Sequence, residues 1–161
     1  MLQRFLVVAG ALALLAACSH SPEPAPGGPG GPIGPGGSSR FGPGSQQDLA
    51  STAGDRVFFA YDQADISSEG QQILQRQAQW LRRYPNVSVT IEGHCDERGT
   101  REYNLALGDR RANAAKNYLQ SRGIDPGRMT VISWGKEKPE ATGSDEESWA
   151  KNRRAVTVVP E

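Results

Sequence analysis

The sequence predicts an α+β domain: a β-α-β-α-β-(α)-β order forming a mixed sheet with helices packed on one face. Three observations predict it. Strand-like and helix-like patterns take turns through the C-terminal part of the chain. The stretches over 68–83 and 101–122 carry apolar residues at helical spacing. The segment from Val87 alternates apolar and polar side chains, as a strand does when its sheet is covered on one side only.

Each element has a local cause. Arg56 to Tyr61 is rich in β-branched and aromatic residues and reads as a strand. Ser67 and Ser68 precede a helix to about Arg83, with Ile73, Leu74, Trp80 and Leu81 at helical spacing and Pro85-Asn86 to end it. Val87 to Cys95 is a strand with Val87, Val89 and Ile91 to one side. Thr100 caps a helix running to about Arg122, and Gly123 terminates it. Leu107, Ala114, Ala115, Tyr118 and Leu119 form its apolar face. Met129 to Trp134 is a third strand, Asp145 to Lys151 a short helix and Arg154 to Val159 the last strand.

The N-terminal part follows other rules. Arg4 precedes an apolar stretch from Phe5 to Ala17, thirteen residues long. A bilayer core needs about 20 such residues, so this length fits a signal peptide rather than a membrane span. Leu15-Ala16-Ala17-Cys18 resembles the bacterial lipobox, whose cysteine receives a diacylglycerol after cleavage. Residues 1–17 are thus a lipoprotein signal peptide, with Cys18 the lipidation site. Two or three acyl chains on one cysteine make release slow, where a single chain holds only marginally. Ser19, rather than Asp, points to the outer membrane. From Pro22 to Gly44, sixteen of twenty-three positions are Pro or Gly, too little apolar material to pack. Residues 18–54 read as a lipidated terminus and disordered tether, able to extend roughly 110 Å. The folded domain is placed at 55–161.

Charge and cysteine usage narrow the classes further. Eighteen basic residues balance eighteen acidic ones, and no aromatic-basic interleaving is present, so nothing argues for nucleic acid. With Cys18 lipidated, Cys95 is left without an intramolecular partner, which removes a disulfide framework. No metal or organic cofactor is implied. The absence of heptads and of an exposed apolar stripe points to a monomer.

The densest polar segment is Gly93-His94-Cys95-Asp96-Glu97-Arg98-Gly99-Thr100. Tyr103-Asn104-Leu105-Ala106-Leu107 and Arg110-Arg111-Ala112 follow on the helix, and Asn152-Arg153-Arg154-Ala155-Val156 closes the domain. These separated motifs, in this order and spacing, resemble the signature of OmpA-like peptidoglycan-binding domains. The match covers essentially the whole folded part. The resemblance implies non-covalent binding of peptidoglycan through the diaminopimelate of the peptide stem, whose side chain ends in an ammonium and a carboxylate on one carbon. Asp96 and Arg111 match the family's two recognition residues. An arginine fork suits a carboxylate, and Asp96 would take the ammonium. Asp62 matches a further ligand-contacting position; it is expected to end the first strand beside the Asp96 loop. Thr100, at a helix N-terminus, is expected to favour an additional carboxylate. Asn104 and Leu107 lie seven and four residues before Arg111, on its face of the helix. Lipid-anchored members of the family also bind the β-propeller protein TolB and work with other Tol proteins during division, so the resemblance brings these as expected partners.

Plainer readings stand beside these. Asp96 and Arg111 would also suit a structural salt bridge, and Arg110 a solvated charge. Arg153 and Arg154 would tie the last strand to the domain. Trp80, Trp134 and Trp149 read as packing aromatics, and His94 as a structural hydrogen-bonding residue. A protein-interaction module serving a periplasmic partner such as TolB is the alternative to wall binding. A thiol enzyme is disfavoured. On a strand Cys95 points away from His94 and Asp96, so no base activates it. If Cys18 is the anchor, Cys18→Ser leaves the precursor unprocessed or releases the protein into the soluble fraction. Membrane fractionation with labelled fatty acid checks this, and a mature membrane-bound Cys18→Ser protein would refute it.

Overall fold

A computed structural model describes residues 42–160. The expected signal peptide at 1–17, the expected lipidation site Cys18 and the expected tether up to residue 41 lie outside the described residues. The elements are α1 (Gln46–Thr52), β1 (Arg56–Phe58), α2 (Ser68–Arg83), β2 (Val89–His94), α3 (Arg101–Ser121), β3 (Met129–Gly135), α4 (Glu146–Asn152) and β4 (Arg154–Val158). A 3-10 turn at Pro126–Arg128 leads into β3.

The four strands form one mixed sheet in the order β1-β4-β2-β3. β2 and β3 are parallel, while β4 runs antiparallel to both β1 and β2. The expected class and element order are therefore observed, and most boundaries agree within one or two residues, the normal uncertainty of helix and strand ends. Thr100 caps α3 as expected and Ser67 caps α2, each hydroxyl accepting from the backbone N–H three residues on. Gly123, at φ 85, ends α3 in the left-handed region that glycine adopts without strain.

One-sided burial follows the strand alternation. Val57, Val89, Ile91 and Ala155 join Leu74, Ala78 and Leu81 of α2 and Ala112, Ala115 and Leu119 of α3 in a single core. Thr90 and Glu92 lie on the other face, only partly covered. A glycine pair sets how closely α3 lies on the sheet. A Cβ on Gly93 would fall 1.8 Å from the carbonyl oxygen of Gly108, so backbone meets backbone there. This contact brings the first half of α3, with Asn104, Leu107 and Arg111, against the end of β2.

The domain begins earlier than residue 55. α1 lies inside the stretch read as tether, and it is packed, with Leu49 fully buried. Ser45 accepts from the Asp48 N–H, and Asp48 accepts from the Gly44 N–H, a reciprocal cap. Asp48 Oδ2 also accepts from the Trp80 indole at 3.0 Å, tying α1 to α2. Gln46 reaches the last strand: its side chain accepts from the Val159 N–H at 2.7 Å. A seven-residue helix with one buried apolar residue has no period to read, and the Pro/Gly stretch before it masks the cap.

β1 is also shorter than expected, ending at Phe58 rather than Tyr61. Past Phe59, whose N–H still donates to the Arg153 carbonyl, the chain turns away. Leu49→Ala is expected to cost about 2–5 kcal/mol, as burial without a replacement side chain implies. A chain starting at residue 55 should likewise be less stable than one starting at 42. Urea midpoints check both, and unchanged midpoints would show that α1 is dispensable.

Candidate functional site

The polar loop after β2, the turn after β1 and the first half of α3 meet at one end of the sheet. Between them lies a small cleft lined by Tyr61, Asp62, Cys95, Asp96, Arg98, Asn104, Leu107 and Arg111, among others. It encloses about 50 Å³, room for a few water molecules. Five of the six ligand-contacting residues expected from sequence thus come together. Thr100 is the exception: its hydroxyl accepts the Tyr103 N–H as the helix cap, and it does not line the cleft.

Arg111 is fully buried at the floor. Nε donates to the Gln63 carbonyl at 2.8 Å, Nη1 to the His94 carbonyl at 2.9 Å and Nη2 to the Ala60 carbonyl at 3.1 Å. A guanidinium carries five N–H groups, so one on each terminal nitrogen remains for another acceptor. Burial works against the charge and lowers the Arg111 pKa, while the neighbouring Cys95 and Asp96 act in the other direction.

Asp96 is buried too, but it is not free. Its Oδ2 receives Arg98 Nη2 at 2.6 Å and Arg153 Nη1 at 3.4 Å. Its Oδ1 receives the Arg98 Nε at 3.2 Å and the Arg98 backbone N–H at 3.1 Å. Burial raises the Asp96 pKa, but the hydrogen bonds from Arg98 outweigh it and hold the carboxyl below its usual range. Among the described residues no ion pair joins Asp96 to Arg111. The plain salt-bridge reading of that pair is therefore corrected: carbonyls take one partner and other arginines take the second.

Asp62 reaches the cleft by a different route from the one expected. β4 separates β1 from β2, so Asp62 cannot gain the Asp96 loop through strand pairing. It sits in the turn after β1 at φ 57, a left-handed conformation uncommon outside glycine, and is exposed. Its carboxylate accepts from the Tyr103 hydroxyl. Asn104 is buried and holds the polar loop: its side-chain amide donates to the Arg98 and Thr100 carbonyls at 2.8 and 3.0 Å. Leu107 gives the cleft an apolar wall.

Two further expectations change. Cys95 and Asp96 line the same cleft, because the strand ends at His94 and its alternation does not extend to Asp96. The Cys95 thiol donates to the Asn104 carbonyl at 3.3 Å, and burial raises its pKa, away from thiolate. His94, by contrast, has no hydrogen-bond partner at either ring nitrogen among the described residues. Glu92 Oε2 lies 3.4 Å from Nε2 without the geometry of a bond.

Sequence reasoning gave no role to Arg98, Tyr61 or Tyr103, and it read Trp149 as a packing residue. Arg98 stacks between Tyr61 and Trp149, its guanidinium carbon 4.1 and 4.0 Å from the two ring centroids. The Trp149 indole donates to Glu97 Oε1 at 3.0 Å. The available signal was position: Arg98 stands two residues from Asp96 in the same loop. Nothing in the spacing announces Tyr61 and Trp149, which arrive from distant segments. Arg153 does tie the end of the domain together, as expected: Nε donates to the Phe59 carbonyl and Nη2 to Glu146.

The structure is thus a one-sided α+β domain with a buried guanidinium and a buried carboxylate in one cleft. A model of the OmpA family matches residues 58–153. The peptidoglycan-associated lipoprotein of Haemophilus influenzae is 46% identical over 151 residues, 94% of each chain. That of Agrobacterium fabrum is 58% identical over 124 residues, 77% of this chain and 70% of the relative. The crystal structure of the peptidoglycan-associated lipoprotein from Burkholderia pseudomallei superposes with a TM-score of 0.67 at 41% identity, covering 75% of this chain and 98% of that one. The chain belongs to the OmpA family, in its peptidoglycan-associated lipoprotein branch.

His94 gives a pH prediction. Burial, then the nearby Arg154 cation, push its pKa down from 6.5 to about 4. The unfolded chain therefore takes up the proton first as pH falls. Stability is complete above about pH 6.5 and declines toward pH 4, by on the order of 2–3 kcal/mol. Urea midpoints at pH 7 and pH 4.5 measure the decline, and His94→Gln should flatten it. An equal slope in that variant would refute the assignment.

Proposed function

We propose that this envelope lipoprotein binds peptidoglycan non-covalently through the diaminopimelate of the stem peptide. One observation carries the reading: Arg111 is buried at the floor of a cleft, keeps one N–H on each terminal nitrogen without an acceptor among the described residues, and lines the same cleft as the Asp96 carboxylate. A carboxylate and an ammonium on one carbon match that pair of charges. In this low-dielectric setting a fork of N–H donors favours a carboxylate strongly.

The same reading extends to the cell. The lipid on Cys18 would hold one end of the chain in the outer membrane while the domain, in the periplasm, holds the wall, giving the chain a tethering role in envelope integrity and division alongside the Tol proteins. It acts as a monomer and as a binding module, not an enzyme. The raised pKa of Cys95 supports this, since a protonated thiol is a poor nucleophile. A second reading has some support of its own. Tyr61 and Tyr103 are exposed at the cleft mouth, 59% and 46%, a surface suited to a protein docking over it. TolB seated there would compete with peptidoglycan.

Arg111 bridges three segments, so Arg111→Ala is expected to lower stability as well as binding. Asp96→Asn and Arg111→Lys are gentler variants. Each should lose roughly thirtyfold or more in affinity for a diaminopimelate muropeptide, from the 2–5 kcal/mol typical of a truncated buried charge pair. Calorimetry with diaminopimelate and lysine muropeptides tests the reading. Equal affinity for the two stems would sink it and favour the partner-protein alternative.

A further inference from the structure

The Asp96 carboxylate is fully occupied. A carboxylate offers about four lone-pair sites. Two donors sit on each oxygen here: Arg98 N and Nε on Oδ1, Arg98 Nη2 and Arg153 Nη1 on Oδ2. An incoming ammonium cannot be added to this set; one donor has to leave.

The two arginines differ in how easily they leave. The Arg153 side chain is 7% exposed and also holds the Phe59 carbonyl and Glu146. Removing it would strip an acceptor at the end of β1 and another on α4. The Arg98 side chain is 30% exposed at the cleft lip. Its only charge partner among the described residues is Asp96, and its other contacts are the faces of Tyr61 and Trp149. The backbone at this point is held separately, because the Asn104 amide grips the Arg98 carbonyl. The Arg98 side chain can swing outward while the loop keeps its shape.

We propose that Arg98 is an internal stand-in for the ligand's ammonium: it closes the Asp96 side of the cleft in the free protein and is exchanged for the ammonium on binding. This rests on the zwitterion reading of the site and adds its specificity step. The exchange gives up the two charge-assisted hydrogen bonds of the Arg98 side chain for those of the ammonium, so a cation lacking a neighbouring carboxylate for Arg111 gains nothing by displacing Arg98. Only a ligand that engages both ends compensates for the lost stacking on Tyr61 and Trp149. Arg98 would thus be a positioning residue that screens out simple amines such as a lysine side chain.

The test uses the full mature chain, with a diaminopimelate tripeptide muropeptide and its lysine counterpart as probes. Arg98→Ala and Arg98→Gln should both bind the diaminopimelate probe roughly tenfold more tightly than wild type, and should discriminate less against the lysine probe. In wild type, saturating diaminopimelate probe should change the tryptophan emission, and Trp149→Phe should abolish that change. Arg98→Ala should show the shifted emission before any probe is added. Unchanged or weaker binding in both variants, or a saturated wild type whose Trp149 emission has not moved, overturns the proposal. Should one variant fold poorly, the wild-type emission still decides. A wild type that does not bind the diaminopimelate probe fails the reading of the site itself, and the exchange with it. Tight wild-type binding without an effect of Arg98 fails the exchange alone.

Discussion

The buried guanidinium of Arg111 is the interaction on which the site depends. Its three hydrogen bonds collect the carbonyls of Ala60, Gln63 and His94. Two of these belong to the turn after β1 and one to the end of β2. β4 lies between β1 and β2, so no strand pairing joins these two segments directly and Arg111 links them instead; its bond to the His94 carbonyl is buried and the other two are partly buried. A buried carbonyl without a donor is costly. A planar group with five donors in a fixed fork answers several at once, which an ammonium on a flexible stem does poorly. The same side chain that is placed to meet a ligand therefore also holds the cleft walls in position.

The chain uses this device repeatedly. Arg128 collects the carbonyls of Leu81, Tyr84 and Val87 where α2 ends, just where a helix leaves carbonyls without partners. Arg153 takes the Phe59 carbonyl and reaches Asp96 and Glu146. A domain with short strands and long connections has many irregular carbonyls. Arginines supply the donors that regular pairing does not. One consequence is electrostatic: Asp96 stays ionised in the cleft because Arg98 and Arg153 offset the effect of burial.

The two faces of the sheet carry different chemistry. On the helix side, the Gly93–Gly108 approach lets α3 lie directly on β2 and aims Asn104, Leu107 and Arg111 at the strand end. On the other side, His94 is buried beside Glu92 and Arg154, its ring without a hydrogen bond among the described residues. Its carbonyl nevertheless serves Arg111. One residue thus joins an uncharged imidazole on one face to the floor of the cleft on the other.

The sequence by itself determined the class, the order of elements and most of the residues that gather at the cleft. Those features are written locally: hydrophobic period, cap residues such as Ser67 and Thr100, and a loop whose polar residues stand close together in the chain. It did not reveal α1, whose single buried residue, Leu49, leaves no period. Nor did it show how the site residues are partnered. Asp96 and Arg111 looked like a pair, yet one faces two other arginines and the other faces carbonyls. Tyr61 and Trp149 come from the turn after β1 and from α4 to sandwich Arg98. Which side chains meet across such distances is decided by the strand order β1-β4-β2-β3 and by the close seat of α3 on β2. A charge pattern names the candidates for a site, but packing assigns each charge its partner, because desolvated groups must be satisfied by whatever the fold brings within reach.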